Sequence, residues 1–521
     1  MRWIPLILAA TLLRTSAVAA VAADQPDKVT VMPAFEVASL ASEFEHWIKL
    51  SSPHYLLYTD ASVREAQGVL RRLEGQRLAE AKFLGREFLS APPCVIVLPT
   101  ASSVWKKLQS TANVEWPVAV STCGQPLATL GVAQYDWQDH GLGILQGALA
   151  TSHLPLLGLG GPLWFTRGIG TFFETANLKG TDLTLGDLNQ NRTREVTRRG
   201  WLAWGTFFQV TVKSPEFFRE NLIGRYDGQS AAFLHFFFTE KDPVWLSRLN
   251  LWRTRFKRDY VPTSEDFKAD IGQDWKQWQA TMEAHLARTS SNTTVFHFTD
   301  EQLGGEPEPL DLRTREMRDL FVLVQILNQS TPASEQALDY ILAHGLRTPS
   351  LRGLLISACL DKNRLGPALE QLREFLATNP ENPAAFATAA RLRLSEIMSA
   401  VSPDTRLKAS EIDELNAWAR RALKLEPNFN EAREVLAWNS ALAPHCDRQD
   451  VEAILEHFRN IRPPGRQDQV GAALAIALWR VGELVSARTV STTLMNSPFV
   501  HPEIHALIAA LIPRLEISPA P

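Results

Sequence analysis

His501-Pro502-Glu503-Ile504-His505 places two histidines four residues apart with a glutamate between them. On a helix, side chains at i and i+4 share a face and can share one metal ion. A carboxylate directly after the first histidine would activate water on that ion, but Glu503 falls one position too late and Pro502 marks a helix start. The segment therefore reads as the opening of a packed helix, with an incidental metal pair as the alternative. Ser152-His153 offers a nucleophile and a base, yet no acid partner is identifiable for them in the sequence. Cys94, Cys123, Cys359 and Cys446 match no zinc spacing; a Cys94–Cys123 bridge and buried free thiols are both open. Gly158-Leu159-Gly160-Gly161 lacks the Lys and Ser/Thr of a phosphate loop. Two basic runs interleave with aromatics: Arg192, Arg194, Arg198 and Arg199 before Trp201 and Trp204, and Arg248, Arg253, Arg255, Lys257 and Arg258 around Trp252 and Phe256. Each fits a solvated helix face; the sharper alternative is an anionic partner such as an envelope surface.

The elements that would position such groups follow from length and pattern. A chain of 521 residues exceeds one hydrophobic core, and 45% hydrophobic with 21% charged residues describes a globular protein. Its 15 tryptophans concentrate before residue 280, as expected of a well-filled aromatic core. Arg2, the apolar run Ile4 to Leu13 and the small residues Ala20 to Ala23 have the layout of an export signal. That run is too short to span a bilayer, and no later stretch reads as transmembrane. Removing residues 1–23 moves the formal charge from −4 to −6, an acidity that gives no support to nucleic-acid binding. Strands are expected at His54 to Thr59, Cys94 to Leu98, Val118 to Ser121 and Leu127 to Tyr135, with a long amphipathic helix from about Ser62 to Phe88. From Trp137 to about Arg288 the pattern is almost wholly helical, and Gly304-Gly305-Glu306-Pro307-Glu308-Pro309 reads as a linker.

The stretch most informative about function contains Leu145-Gln146-Gly147-Ala148-Leu149-Ala150 and Leu163-Trp164-Phe165-Thr166-Arg167-Gly168-Ile169-Gly170-Thr171-Phe172-Phe173-Glu174. Its outline resembles the peptidase-MA-like, gluzincin-related domains of exported bacterial proteins. In those, an H-E-x-x-H helix is followed by a helix opening with a P-x-W-x-x-E-G-x-A-x-Y-F-like pattern, and the histidines and the later glutamate hold zinc. Gln146 and Arg167 lie 21 residues apart, and Trp164, Gly168 and Phe172-Phe173 fall in register. Aligned so, Gln146 replaces the first histidine, Gly147 the general-base glutamate, Ala150 the second histidine and Arg167 the third ligand. Zinc would meet no imidazole and one fixed cation. The resemblance therefore implies a degenerate site with no catalytic residue, no metal and no cofactor. Trp164, Glu174 and Tyr226 are candidate residues of the remaining cleft. Tyr226 to Phe237 and Phe267 to Trp275 resemble later helices of the same domains, so the likeness covers about residues 44–288.

Beyond the linker, Pro349, Pro380, Pro427, Pro464 and Pro498 are separated by 31, 47, 37 and 34 residues, the long interval holding a polar insertion from Met398 to Ala409. With Ala417 to Pro427, which resembles the second helix of a tetratricopeptide repeat, this spacing suggests helical repeats of about 34 residues. The expected organisation is a signal peptide (1–23), a polar leader (24–43), an α+β zincin-like domain with a largely helical second half (44–288), a linker (289–312) and an all-α, tetratricopeptide-like solenoid (313–521). The expected function is non-catalytic: an exported, periplasmic or extracellular pseudopeptidase binding a protein or peptide in the cleft or on the repeats. The rival expectation is a metallopeptidase-related hydrolase with a non-standard active site.

Overall fold

The computed structural model describes residues 46–517 except 86, 89–92, 102–103, 106–107, 109–117, 123–127, 134–139, 155–156, 158–161, 211–213, 215–219, 256–261, 289–291, 329–331, 347, 399–401, 428, 461–467 and 497–501. The expected signal and leader, Cys123, His501 and the Gly158 to Gly161 segment, Leu159 included, lie outside these residues.

The chain opens with β1 (Ile48–Ser51), β2 (Tyr55–Thr59), α1 (Val63–Leu84), β3 (Cys94–Leu98), β4 (Val118–Thr122) and β5 (Thr129–Ala133). The five strands form one mixed sheet in the order β1-β2-β3-β5-β4. β2, β3 and β5 are parallel, with Tyr55 opposite Cys94 and Val95 opposite Leu130; β1 and β4 run antiparallel at the edges. Ser62 and Glu65 form a capping box at the start of α1, and Gly85 ends it in the left-handed conformation.

All five residues of β2 and of β3 are buried, so these strands do not alternate between core and water. The period-2 geometry instead divides them between two cores. Tyr55, Leu57, Cys94, Ile96 and Leu98 face Leu70 and Leu73 of α1 and Leu142, Leu145 and Leu149 of α2 (His140–His153). Leu56, Tyr58, Val95, Val97, Leu130 and Val132 share a core with Met317, Leu320, Phe321 and Val324 of the later helical region.

After α2 come α3 (Leu163–Phe173), a hairpin of β6 (Asn177–Lys179) and β7 (Asp182–Leu185), and then α4 (Gln190–Arg199), α5 (Trp204–Gln209), α6 (Glu220–Thr239), α7 (Pro243–Arg255), α8 (Ser264–Ile271) and α9 (Trp275–Leu286). The tryptophans find their place here: Trp164, Trp204 and Trp278 pack with Phe207, Phe208, Phe233 and Phe237 in one aromatic core. The segment expected as a linker is part of the fold. It carries β8 (Thr294–His297), which pairs antiparallel with β7, and Leu310 bridges to Lys49 of β1.

The remainder is helical: α10 (Thr314–Asn328), α11 (Pro332–His344), α12 (Arg352–Asp361), α13 (Leu365–Thr378), α14 (Pro383–Met398), α15 (Ala409–Leu425), α16 (Asn430–Ala441), α17 (Arg448–Asn460), α18 (Asp468–Arg480), α19 (Leu484–Met495) and α20 (Pro502–Ile517). α10 packs on both α11 and α12, consecutive helices pack together from α12 on, and α14, α16, α18 and α20 also pack each on the next. These form an inner layer: Gln469 to Leu478 of α18 are buried without a break, which leaves that stretch no solvent face. The polar insertion is tied down by the Arg480 guanidinium, which donates to the carbonyls of Pro403 and Thr405.

The sheet and the helical region are welded by a buried ionic contact. Glu316 Oε1 accepts from Tyr58 Oη at 2.5 Å and lies 2.6 Å from Lys49 Nζ. Burial and this carboxylate both push the Tyr58 hydroxyl above its usual range, so it remains a donor.

Candidate functional site

α2 and α3 cross at the residues aligned with the zinc motif, and they cross on bare backbone. A Cβ on Gly147 would lie 2.6 Å from the carbonyl oxygen of Gly170 and 2.6 Å from Cγ of Glu174. A Cβ on Gly143 would lie 2.8 Å from the carbonyl oxygen of Glu174, and one on Gly170 would lie 2.7 Å from Thr151 Oγ1. Residues 143, 147 and 151 of α2 thus meet 166 and 170 of α3 and its C-cap Glu174 at the four-residue spacing of helical ridges. Thr151 Oγ1 completes the seam, bonded to the carbonyls of Gly147 at 3.1 Å and Thr166 at 3.3 Å.

The flanking positions turn away from one another. Gln146 is fully buried; its Nε2 donates to the carbonyl of Ala176 at 3.3 Å and its own carbonyl accepts from Gln76 Nε2 at 2.8 Å. Ala150 is buried in the aromatic core. Arg167 points to α6, where its Nε lies 3.1 Å from Asp227 Oδ1. Burial pushes the Asp227 carboxyl up, while Arg167 and Arg192 pull it down. Glu174 is taken by Arg192 through two hydrogen bonds of 3.0 and 2.7 Å, with Asn189 Nδ2 at 2.7 Å. Burial opposes the Arg192 charge, but the bonds to Glu174 outweigh it and hold its pKa above the usual value.

Trp164 and Tyr226 are core residues and do not line an open cleft: both are fully buried, Trp164 against Phe208 and Phe233 and Tyr226 against Phe207. Burial and then Asp227 push the Tyr226 phenol above its usual range, and its Oη has no hydrogen-bond partner among the described residues. The residue types present do not fit a zinc ion. Gly147 and Ala150 carry no donor atom, Arg167 is a cation engaged with Asp227, and the Gly147–Gly170 contact occupies the space a glutamate side chain would need. Among the described residues no group of three or more His, Cys, Asp or Glu is placed to hold a metal ion.

Ser152-His153, which lacks an acid partner in the sequence, has one in space. His153 Nδ1 lies 2.7 Å from Glu80 Oε2 of α1, both residues buried, while Ser152 Oγ donates to the carbonyl of Leu149 at 2.8 Å. The imidazole is oriented by a carboxylate, but the neighbouring serine is not its nucleophile. The signal for this pair was a charge on the apolar stripe of α1, where Glu80 continues the row of Leu73 and Gln76. A second buried pair joins α6 to α9: His235 Nδ1 is 2.8 Å from His285 Nε2, and His235 Nε2 is 2.9 Å from the carbonyl of Gly186. The first basic run is largely paired within the fold, Arg192 with Glu174 and Arg198 and Arg199 with Glu195. In the second, Arg248 donates to the carbonyl of Ile271 and sits over Trp245.

No family model matches the chain, and no curated protein matches it in sequence. No described helix is long and apolar enough to cross a membrane.

Proposed function

We propose that this chain is a non-catalytic binding protein of the bacterial cell envelope: a zincin-like pseudopeptidase body joined to tetratricopeptide-like helical repeats, exported and engaging a peptide or protein. One observation carries the reading. At the position aligned with the catalytic glutamate, Gly147 lies against the Gly170 carbonyl with no room for a side chain. A glutamate there would have to push two buried helices apart before it could reach a water molecule. The seam seals the position aligned with the catalytic base.

Support for a binding role comes from the sheet. β4 is an edge strand, and its outer side pairs with no strand among the described residues. Such an edge can accept an extended peptide through main-chain hydrogen bonds alone. The paired inner and outer helices support the repeat assignment, since an array of this kind buries its first helices and leaves a face of the second ones to water.

The test is binding without turnover. Full-length protein is titrated into a set of fluorescent unstructured peptides, with the peptides recovered and weighed by mass spectrometry. Saturable binding with every peptide recovered intact is expected. Cleavage that a chelator abolishes would overturn the reading.

A further inference from the structure

At one end of the sheet the apolar contact between α1, α2 and the strands gives way to polar side chains. Beyond Leu73 and Leu149 lie Gln76, Arg77 and Glu80 of α1 and His153 of α2, all buried; β2 and β3 add the register partners Tyr55 and Cys94. Part of this cluster is self-sufficient. Glu80 accepts from His153 Nδ1 at 2.7 Å and from Gln76 Nε2 at 2.5 Å.

Besides the Gln76 Oε1 acceptor, two donor groups are left over. Tyr55, 1% exposed, has no hydrogen-bond partner for its Oη among the described residues. Arg77, 8% exposed, holds its guanidinium carbon 3.6 Å from the centroid of the Phe88 ring, and no carboxylate of a described residue lies within ion-pair distance of it. The Phe88 ring in turn packs edge-on to His153 at 5.3 Å, and Tyr55 and His153 are 6.5 Å apart. The Arg77 charge acts on both the Tyr55 hydroxyl and the Cys94 thiol, which are register partners on adjacent strands. Burial keeps the phenol and the thiol protonated.

A buried charge without a counter-ion and a buried donor without an acceptor are both costly. One acceptor placed between them removes both costs. Its charge is limited by its neighbours: among the described residues Arg77 is the one cation acting on Tyr55, while Glu80 and Glu74 also act on it. A dianion would be repelled there; a planar monoanion matches the guanidinium fork. We propose that Arg77 and Tyr55 form a buried binding site for the carboxylate of a small organic acid, with Phe88 and His153 closing its apolar side. The site is remote from the α2–α3 seam and does not depend on the chain being a pseudopeptidase.

The full chain, dialysed free of organic acids, is titrated calorimetrically with sodium acetate, sodium propionate and sodium phosphate at matched ionic strength. Saturable binding of at least one acid, tighter than phosphate, is expected. Arg77→Met keeps an unbranched side chain and removes the charge. Tyr55→Phe removes only the unpartnered hydroxyl and so retains the fold. Each weakens binding about tenfold or more, the scale of one hydrogen bond to a charged group. Should Arg77→Met fail to fold, Tyr55→Phe decides alone. No saturable heat with either acid, tighter binding of phosphate, or an unchanged affinity in Tyr55→Phe overturns the proposal.

Discussion

Gly147→Ala sets two opposing effects against each other. In a helix, alanine is favoured over glycine by about 1 kcal/mol, so propensity alone makes the variant more stable. The new Cβ would lie 2.6 Å from the Gly170 carbonyl oxygen, where ordinary contact begins at 3.4 Å, so the helices must part by about 0.8 Å. Overpacking a filled core costs about 1–3 kcal/mol. The obstacle is the main chain of a second buried helix, which cannot rotate aside, so the upper half of that range applies. The net expectation is a loss of about 1–2 kcal/mol. Gly68→Ala is the internal control: it lies in α1 with nothing within 4 Å of the new Cβ, and it should gain about 0.5–1 kcal/mol. Urea denaturation followed by tryptophan fluorescence reads both, because Trp164 lies in the core beside the seam. A Gly147→Ala variant as stable as Gly68→Ala would refute the close crossing.

Three further outcomes follow from named contacts. Replacing Gln146, Gly147, Ala150 and Arg167 by His, Glu, His and Glu should yield a protein that loses near-native tryptophan fluorescence and binds no stoichiometric zinc; a folded, zinc-loaded peptidase would contradict the packing. His235 donates Nε2–H to Gly186, so its Nδ1 must accept from His285 Nε2–H. Burial, with His235 and Arg288 adding to it, lowers the His285 pKa from 6.5 to about 3. The unfolded chain therefore binds a proton that the folded one refuses. The stability this pair contributes is complete above pH 6.5 and falls by up to about 1.4 kcal/mol per pH unit as pH drops towards the folded value. His285→Gln should flatten that limb of a stability–pH curve, and an unchanged slope would count against the buried neutral pair. Truncation after residue 312 removes Met317, Leu320, Phe321 and Val324 from one face of the sheet, each covering contributing about 1.5–3 kcal/mol; the fragment should aggregate, and a monomeric, cooperatively unfolding one would refute the weld.

Much of the local structure is legible in the chain. Cys94 to Leu98 and Val118 to Ser121 are strands, and Ser62 caps a helix that Gly85 ends, three residues short of Phe88. The glycines of α2, unfavourable in an isolated helix, point to a close backbone neighbour, and Gly170 is that neighbour. The short strands β6, β7 and β8 were not legible: three or four residues inside a helical pattern or an expected linker carry no period of their own, and they exist because they pair with each other. Partner choice was equally hidden. Spacing puts Glu174 and Arg167 near one helical face, but which distant helix packs there decides that Arg167 meets Asp227 while Glu174 meets Arg192. Long-range packing likewise supplied His153 with Glu80.

The account rests on the α2–α3 seam leaving no metal site, and zinc stoichiometry tests that most directly. The purified full-length chain is incubated with excess zinc, dialysed exhaustively and measured by plasma mass spectrometry. Zinc well below one ion per chain is predicted, unchanged by Arg167→Ala. One zinc retained per chain, and lost together with a peptidase activity on chelation, would contradict it.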